Sequence, residues 1–487
     1  MKRVKNGISY VKNGWTYVSI FGEPYERGFA YGSLISEDLK SVKEMLDFHI
    51  YNQFGVKWDF FIEASNKYFL PKIKKNYLEF YEEMRGVADG CSSEGVPFSV
   101  EESVAWNNYL TLTDSWWTNM PKEEEQKVYP MDIANHYTSK PSGAKDRCSA
   151  FMCVGDWTKD GKIIVGHNNF SEYIDGQYAK YVVDIQPTQG HRILMMGFPG
   201  WIWSGTDFFV TSKGIIGTET TIGGFYPYEN KIPISCRIRQ AMQYGNTLDD
   251  YVEILLHGNS GDYANAWLFG DIHTNEILRI ELGFRFHNTE RTKNGYFIGF
   301  NTTYDPRIRN LECTDTGFND IRRHQGARKV RLTDLVEENK GKIDINVAKK
   351  MIGDHYDVYL NKINKCSRTV CSHYELDPRE YMSDPSRPKP YEPRGAVDGN
   401  ICDSNMARDM TFLLRWGSSC GHPFMKDEFC DKHRQWKHLQ PHLHDRPSQP
   451  WTYFHITNHF TKKQKKTRKI RRKIRKQIRR KTKNNKK

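Results

Sequence analysis

The sequence predicts a layered α+β protein, and three observations predict it. Between about residues 149 and 218, short apolar runs recur between turn residues, as the strands of a sheet do. Before residue 110, long stretches repeat their apolar residues at helical spacing. Along the chain the elements run strands, helices, strands, helices, which suits packed layers. With 487 residues, 38% of them hydrophobic and 13% aromatic, the chain can bury a large core.

Residues 15 to 21 read as a strand closed by Gly22-Glu23-Pro24. A helix then runs from Tyr25 to about Ile50, with apolar positions at Ile35, Leu39, Val42 and Leu46, and Pro24 suits its first turn. Gly28 and Gly32, one turn apart, let this helix approach a neighbour closely. Further helices are expected over about 59–88, interrupted near Pro71, and over about 99–110. From Lys122 to Asp146 the composition turns charged and polar, with Glu123-Glu124-Glu125, Pro141 and Gly143, which predicts a linker.

After the linker, strands are expected at 149–154, 163–170, 180–185, 192–197, 207–211 and 214–218, the first two joined through Thr158-Lys159-Asp160-Gly161. A helical region opens at Pro233 and breaks near Gly245-Asn246; strands return at 265–270, 276–282 and 295–300. Helices follow at 318–337 and 346–353, then a proline-rich loop over 375–393, a return to the body over 401–424 and a last aromatic strand near 451–460. The organisation expected is a helical segment 1–147, a core 148–460 and a basic tail 461–487.

The net charge of +13 belongs to that tail, which holds 17 Lys or Arg and no acid; removing those 17 charges leaves the rest at −4. Contact with an anionic membrane or a nucleic acid is thus a property expected of residues 461–487, where Ile470, Ile474 and Ile478 could form one apolar stripe. No run of about eighteen apolar residues suggests a membrane-spanning helix. No signal peptide is visible, so a cytoplasmic location is expected over a secreted or lysosomal one. Ten scattered cysteines then read as mostly reduced and buried. The pairs Cys366/Cys371 and Cys420/His422 lack a C-x-x-C spacing, so neither a metal nor a cofactor is expected.

The chemistry points to Cys148, at the junction of linker and first core strand. Cleavage of the Arg147–Cys148 bond would free an α-amine, with a pKa of about 7.7 to 8.0, on the nucleophile's own residue, where it can serve as the thiol's base. The hairpin 148–170 would set His167 and Asn168 alongside the thiol, to orient it or to bind substrate. Cysteine is also among the most buried residue types, so a structural Cys148 and a core His167 are the competing readings. Trp201, Trp203 and Phe208 could line an apolar acyl pocket, or could simply be core.

These residues resemble a known family. Cys148-Ser149-Ala150, Gly166-His167-Asn168-Asn169-Phe170-Ser171-Glu172-Tyr173, Gly197-Phe198-Pro199-Gly200, Gly217-Thr218-Glu219-Thr220-Thr221 and Ser260-Gly261-Asp262-Tyr263-Ala264-Asn265 stand in the order and spacing of the phospholipase B-like proteins. Arg237-Ile238-Arg239-Gln240-Ala241 extends the match, and Gly395–Gly399 and Cys420–Phe424 do so more loosely. The segment Gly22–Gly28, with Tyr31-Gly32, resembles the related penicillin acyltransferase-like enzymes.

The resemblance implies an αββα sandwich of the N-terminal nucleophile hydrolase type, self-cleavage before Cys148, and hydrolysis of acyl esters or amides, lipids among them. It implies Asn265 as an oxyanion donor, although a turn residue would read the same, and Glu219 and Thr220 as residues lining the site; Trp201, from the apolar pocket, and Arg237 are further substrate-binding candidates. An acyltransferase passing the acyl group to an amine, and an inactive protein binding through its basic tail, are the alternatives.

Overall fold

The computed structural model describes residues 1–128, 147–314, 317–378 and 389–458. Residues 1–455 form one compact unit. The basic tail expected at 461–487 lies outside the described residues, as does most of the linker.

The chain opens with three strands, β1 (Lys2–Val4), β2 (Gly7–Lys12) and β3 (Trp15–Gly22). Sequence reading finds only the last. The hairpin between β2 and β3 closes through Asn13-Gly14, both with positive φ, which is the turn chemistry an Asn-Gly pair favours. Helices follow: α1 (Pro24–Phe54), α2 (Trp58–Tyr68), α3 (Leu70–Asn76), α4 (Leu78–Ser93) and α5 (Val100–Asn107). Ser99 caps α5 in a reciprocal box with Glu102. A short helix, α6 (Lys122–Val128), occupies the start of the expected linker; three glutamates in its first turn favour the helix dipole, a local signal that the charged composition masked.

Glycines bring α1 and α4 together. A Cβ on Gly28 or Gly32 would land on the carbonyl oxygen of Glu83 or Val87, and one on Gly86 or Gly90 on that of Tyr25 or Phe29. The two backbones therefore touch, as the spacing of Gly28 and Gly32 predicts. Beside the crossing, the buried Glu83 carboxylate accepts from Arg27 at 2.7 Å and from Arg239 at 2.9 Å.

The body continues as β4 (Cys148–Val154), β5 (Ile164–Glu172), α7 (Tyr173–Gly176), β6 (Tyr181–Pro187), β7 (Ile193–Gly197), β8 (Phe208–Thr211) and β9 (Ile215–Thr221). Next come α8 (Ile234–Tyr244), α9 (Leu248–Leu256), β10 (Asn265–Asp271), β11 (Glu276–Leu282), β12 (His287–Thr292) and β13 (Gly295–Gly299). The polar, solvated strand β12 carries no apolar alternation, so pattern reading passes over it. The last elements are α10 (Pro306–Leu311), α11 (His324–Glu338), α12 (Ile345–Ile352), β14 (Tyr356–Asp357), β15 (Lys362–Ile363), β16 (Arg394–Ala396), β17 (Asp398–Asp403), α13 (Ser404–Arg408), β18 (Thr411–Trp416), α14 (Lys426–Lys432) and β19 (Thr452–His455).

Two sheets stack. One runs β1-β2-β3-β6-β7-β8-β9-β10-β11-β12, and the other β13-β4-β5-β17-β18-β19 with β16 also on β5. They meet where β4 lies against β9 and β11. Helices α1, α8 and α9 cover the larger sheet, and α11 and α12 cover the smaller. The result is a four-layer αββα sandwich. The first 128 residues are integral to it, because β3 pairs in parallel with β6, Thr16 opposite Tyr181 through Gly22 opposite Pro187.

Candidate active site

Cys148 is the first residue of β4 and is fully buried. Pairing with β5 sets Cys148 opposite Asn169 and Ala150 opposite His167, so by the two-residue period these four share one face. That face looks toward the larger sheet, where the His167 ring stacks 6.1 Å from the ring of Phe208.

The thiol meets an acidic pair. Ligand-capable atoms of Cys148, Asp207 and Glu219 all lie within 4.8 Å of one another. The Tyr263 hydroxyl is 2.9 Å from Asp207 Oδ2 and 2.9 Å from Glu219 Oε1, and receives Thr221 Oγ1 at 3.3 Å. One hydroxyl proton serves one carboxylate at a time, and the other oxygens, Asp207 Oδ1 and Glu219 Oε2, have no donor elsewhere among the described residues. Between two buried carboxyls this close, a shared proton is the stable arrangement.

Burial first, then the neighbouring Asp207, pushes Glu219 well above the usual carboxylate range; burial pushes Asp207 up to about 6. Glu219 thus holds the proton and Asp207 ionises first. The same burial, with the negative charge of Glu219 and Asp207, raises the Cys148 thiol well above its ordinary value. The trio could hold a cation, but the proton shared by the carboxyl pair already neutralises half of its charge.

The peptide bond before Cys148 is held on both sides. The Phe170 N–H donates to the Arg147 carbonyl oxygen. The Arg147 guanidinium is buried against Asp114, 2.9 Å from Oδ2, in a π-helical turn over Thr111–Trp116. A small cavity beside it is lined by Tyr109, Asp114, Asp175, Glu172 and Arg394.

The other expected residues separate into those near the thiol and those committed elsewhere. Asn400 Nδ2 donates to His167 Nδ1 at 3.0 Å, and burial pulls the imidazole pKa down to about 3, so His167 is neutral and positions rather than carries a proton. Asn265 opposes Thr221 across β10 and β9, on the same side of the sheet as Glu219, and both its amide atoms are buried without a partner among the described residues. Thr220 points the other way, against Gly299 of β13.

Asn168 lies on the opposite face of β5 from the thiol. Its Nδ2 bonds Ser149 Oγ at 3.2 Å and the carbonyls of Ile352 and Val370 at 2.8 and 3.0 Å, because adjacent strand residues alternate. Arg237 is taken up by Asp262 Oδ1 at 2.7 Å and by the carbonyls of Ile232 and Leu255. Trp201 stacks on Trp203 at 5.0 Å and meets Trp106 edge-on at 5.2 Å, in the core beneath the helices, while Phe208 stands apart beside His167. The three aromatics do not converge on one pocket.

Asp207, Tyr263, Asp398 and Asn400 are the site residues that sequence reading did not single out. Tyr263 stood inside a quoted motif. Asp398 also stood inside a quoted motif, Gly395–Gly399, but it and Asn400 join the site only because β17 pairs with β5, which no local pattern reveals. Asp398 Oδ1 accepts from the Asn169 N–H at 3.1 Å and from Asn400 Nδ2 at 2.8 Å, and burial lifts this carboxyl to about 7.

Comparison with known proteins gives the same neighbourhood. A phospholipase B family model matches residues 62–278. An uncharacterized Archaeoglobus fulgidus protein is 23% identical over 54% of this chain and 42% of its own length. Phospholipase B of Crotalus adamanteus is 24% identical over 47% and 43%, and phospholipase B-like protein F of Dictyostelium discoideum is 29% identical over 26% and 24%. The chain therefore spans less than half the length of these relatives. Among solved structures, a mutant of the conjugated bile acid hydrolase from Clostridium perfringens aligns with 55% of this chain and 89% of its own, at 13% identity and a TM-score of 0.32. The matched stretch 62–278, over which the chain resembles phospholipase B, holds Cys148 and both carboxylates of the pair beside its thiol.

Proposed function

We propose that this chain is a cysteine N-terminal nucleophile hydrolase that cuts itself between Arg147 and Cys148 and then hydrolyses acyl esters or amides, with lipids as one source of the acyl group. The observation that carries this reading is the position of Cys148. It begins a core strand, its thiol faces a proton-sharing carboxyl pair, and the carbonyl it would attack first is already bound by the Phe170 N–H.

In self-cleavage the thiol loses its proton to Asp207, and sulfur adds to the Arg147 carbonyl carbon. The Phe170 N–H stabilises the oxygen as it gains charge. The C–N bond breaks, the Cys148 nitrogen takes the proton, and water hydrolyses the thioester to an Arg147 carboxylate and a free thiol. In the mature site the new α-amine takes the thiol proton and returns it to the leaving group, while Asn265 Nδ2, free of any partner among the described residues, receives the substrate oxyanion. The acyl thioester then passes to water. The 1–147 segment stays bound through β3, and residues 461–487 add affinity for an anionic surface.

Intact mass of the purified chain beside Cys148→Ala tests the reading. Wild type should give fragments ending at Arg147 and starting at Cys148, and the variant one uncut chain. An uncut wild type at every pH would sink the self-processing step and the free-amine mechanism with it.

A further inference from the structure

On the helix-facing side of β4 and β5, away from the thiol, a second cluster has a different chemistry. His355 precedes β14, Cys371 and His373 lie in the loop after β15, and Cys420 follows β18. One ligand atom from each of the four lies within 4.8 Å of every other. His373 Nε2 is 3.5 Å from Cys371 Sγ and 3.4 Å from Cys420 Sγ. With metal–sulfur bonds of about 2.3 Å and metal–nitrogen bonds of about 2.0 to 2.1 Å, the S···N edge of a tetrahedron is about 3.5 Å.

The surroundings also fit a ligand. His355 is 9% exposed, and neither of its ring nitrogens is in hydrogen-bonding geometry with a partner among the described residues. His373 Nδ1 is 2.7 Å from Glu375 Oε1, the carboxylate–histidine contact that fixes Nε2 as the coordinating atom. The His422 N–H points to Cys420 Sγ at 3.3 Å, and the Ser418 hydroxyl is 3.4 Å from the same sulfur, both suited to a thiolate.

We infer that His355, Cys371, His373 and Cys420 form a closed, structural Cys2His2 site for zinc. Two sulfurs and two imidazoles around a tetrahedral centre select zinc over harder cations, and four protein ligands leave no position for substrate. Spacing in the sequence hides the site: it takes Cys371 from one suggestive pair and Cys420 from the other, while Cys366 bonds Asp357 and His422 approaches Lys365. The site joins three loops beneath the nucleophile's strand. Ser149 Oγ and Asn168 Nδ2 both bond the Val370 carbonyl, next to Cys371, and Ser419 Oγ and Asn168 Nδ2 both bond the Ile352 carbonyl.

The test uses the full chain purified in reductant without added chelator. Elemental analysis should find one zinc per chain, and exchange with Co2+ should give the intense visible bands of a tetrahedral S2N2 centre. Cys420→Ser should lose both signals. Because that variant could also unfold, Glu375→Gln is the second arm: it should keep the cobalt bands while weakening zinc binding about 10- to 100-fold in a chelator competition. A folded wild type that takes up neither metal overturns the proposal. So does a Cys371–Cys420 disulfide in the peptide map of the reduced preparation, or a Glu375→Gln affinity equal to wild type.

Discussion

The Phe170 N–H donates to the carbonyl oxygen of Arg147, the residue whose peptide bond must break if Cys148 is to become a chain terminus. Strand pairing alone delivers that donor. Residue 170 follows Asn169, the partner of Cys148, so the ladder that anchors Cys148 also polarises the bond before it.

Self-cleavage should slow as pH falls below about 6. Asp207 must be ionised to accept the thiol proton, and burial places its pKa at about 6, above the ordinary 3.8. Tyr263→Phe removes a hydroxyl that favours the ionised form, so the midpoint should move to higher pH. The fraction of uncut chain against time across a pH series measures both; an unshifted midpoint in the variant would separate Asp207 from the proton transfer.

Asn265→Ala should leave folding intact and lower kcat on an acyl substrate by about 100- to 1,000-fold, the usual cost of one oxyanion donor. Its amide has no hydrogen bond to lose among the described residues, so the melting temperature should change little. A large stability loss with unchanged kcat would make it a structural residue instead.

Asp398→Asn, studied in the uncut Cys148→Ala chain, should flatten the dependence of stability on pH. In the folded protein this carboxyl holds its proton up to about 7, against 3.8 in its ordinary state. The group therefore favours folding below 3.8, and that contribution is lost as pH rises through about 7. The difference corresponds to on the order of 4 kcal/mol. An asparagine keeps the acceptor for Asn169 and Asn400 without the proton. Chemical denaturation at pH 5 and pH 8 should show a smaller gap in the variant than in its parent.

Gly28→Ala and Gly32→Ala should each destabilise the protein by about 1 to 3 kcal/mol or more, since the added methyl meets backbone carbonyls of α4 that have no room to give. Thermal melts should rank both well below Gly55→Ala, where an added Cβ has nothing within 4 Å but the backbone is left-handed.

The sequence-level reading succeeds where chemistry is local. Apolar spacing locates α1, glycine spacing foretells its contact with α4, and a cysteine at the end of a polar linker marks β4. It fails where the fold joins distant segments. Asp398 stands in a quoted motif, yet its reach to the Asn169 backbone comes from sheet pairing, and Asp207 reaches Glu219 through a loop with positive φ, so neither partnership announces itself by its neighbours. His355 and Cys420 stand 65 positions apart in the chain, and only the packing of two loops makes them neighbours. Asn168 shows the converse: beside His167 in sequence, it is turned to the opposite face by the strand period.

The parallel pairing of β3 with β6 also governs how this protein can be made. A gene beginning at Cys148 would encode a chain whose β6, seven buried-sheet residues long, has its outer backbone groups bare. Such an edge recruits strands from other molecules, so the severed large fragment would aggregate rather than fold into the active form. If Cys148 is freed by a cut, that cut must follow completion of the sheet, which would make synthesis as a single precursor a folding requirement and cleavage a final step.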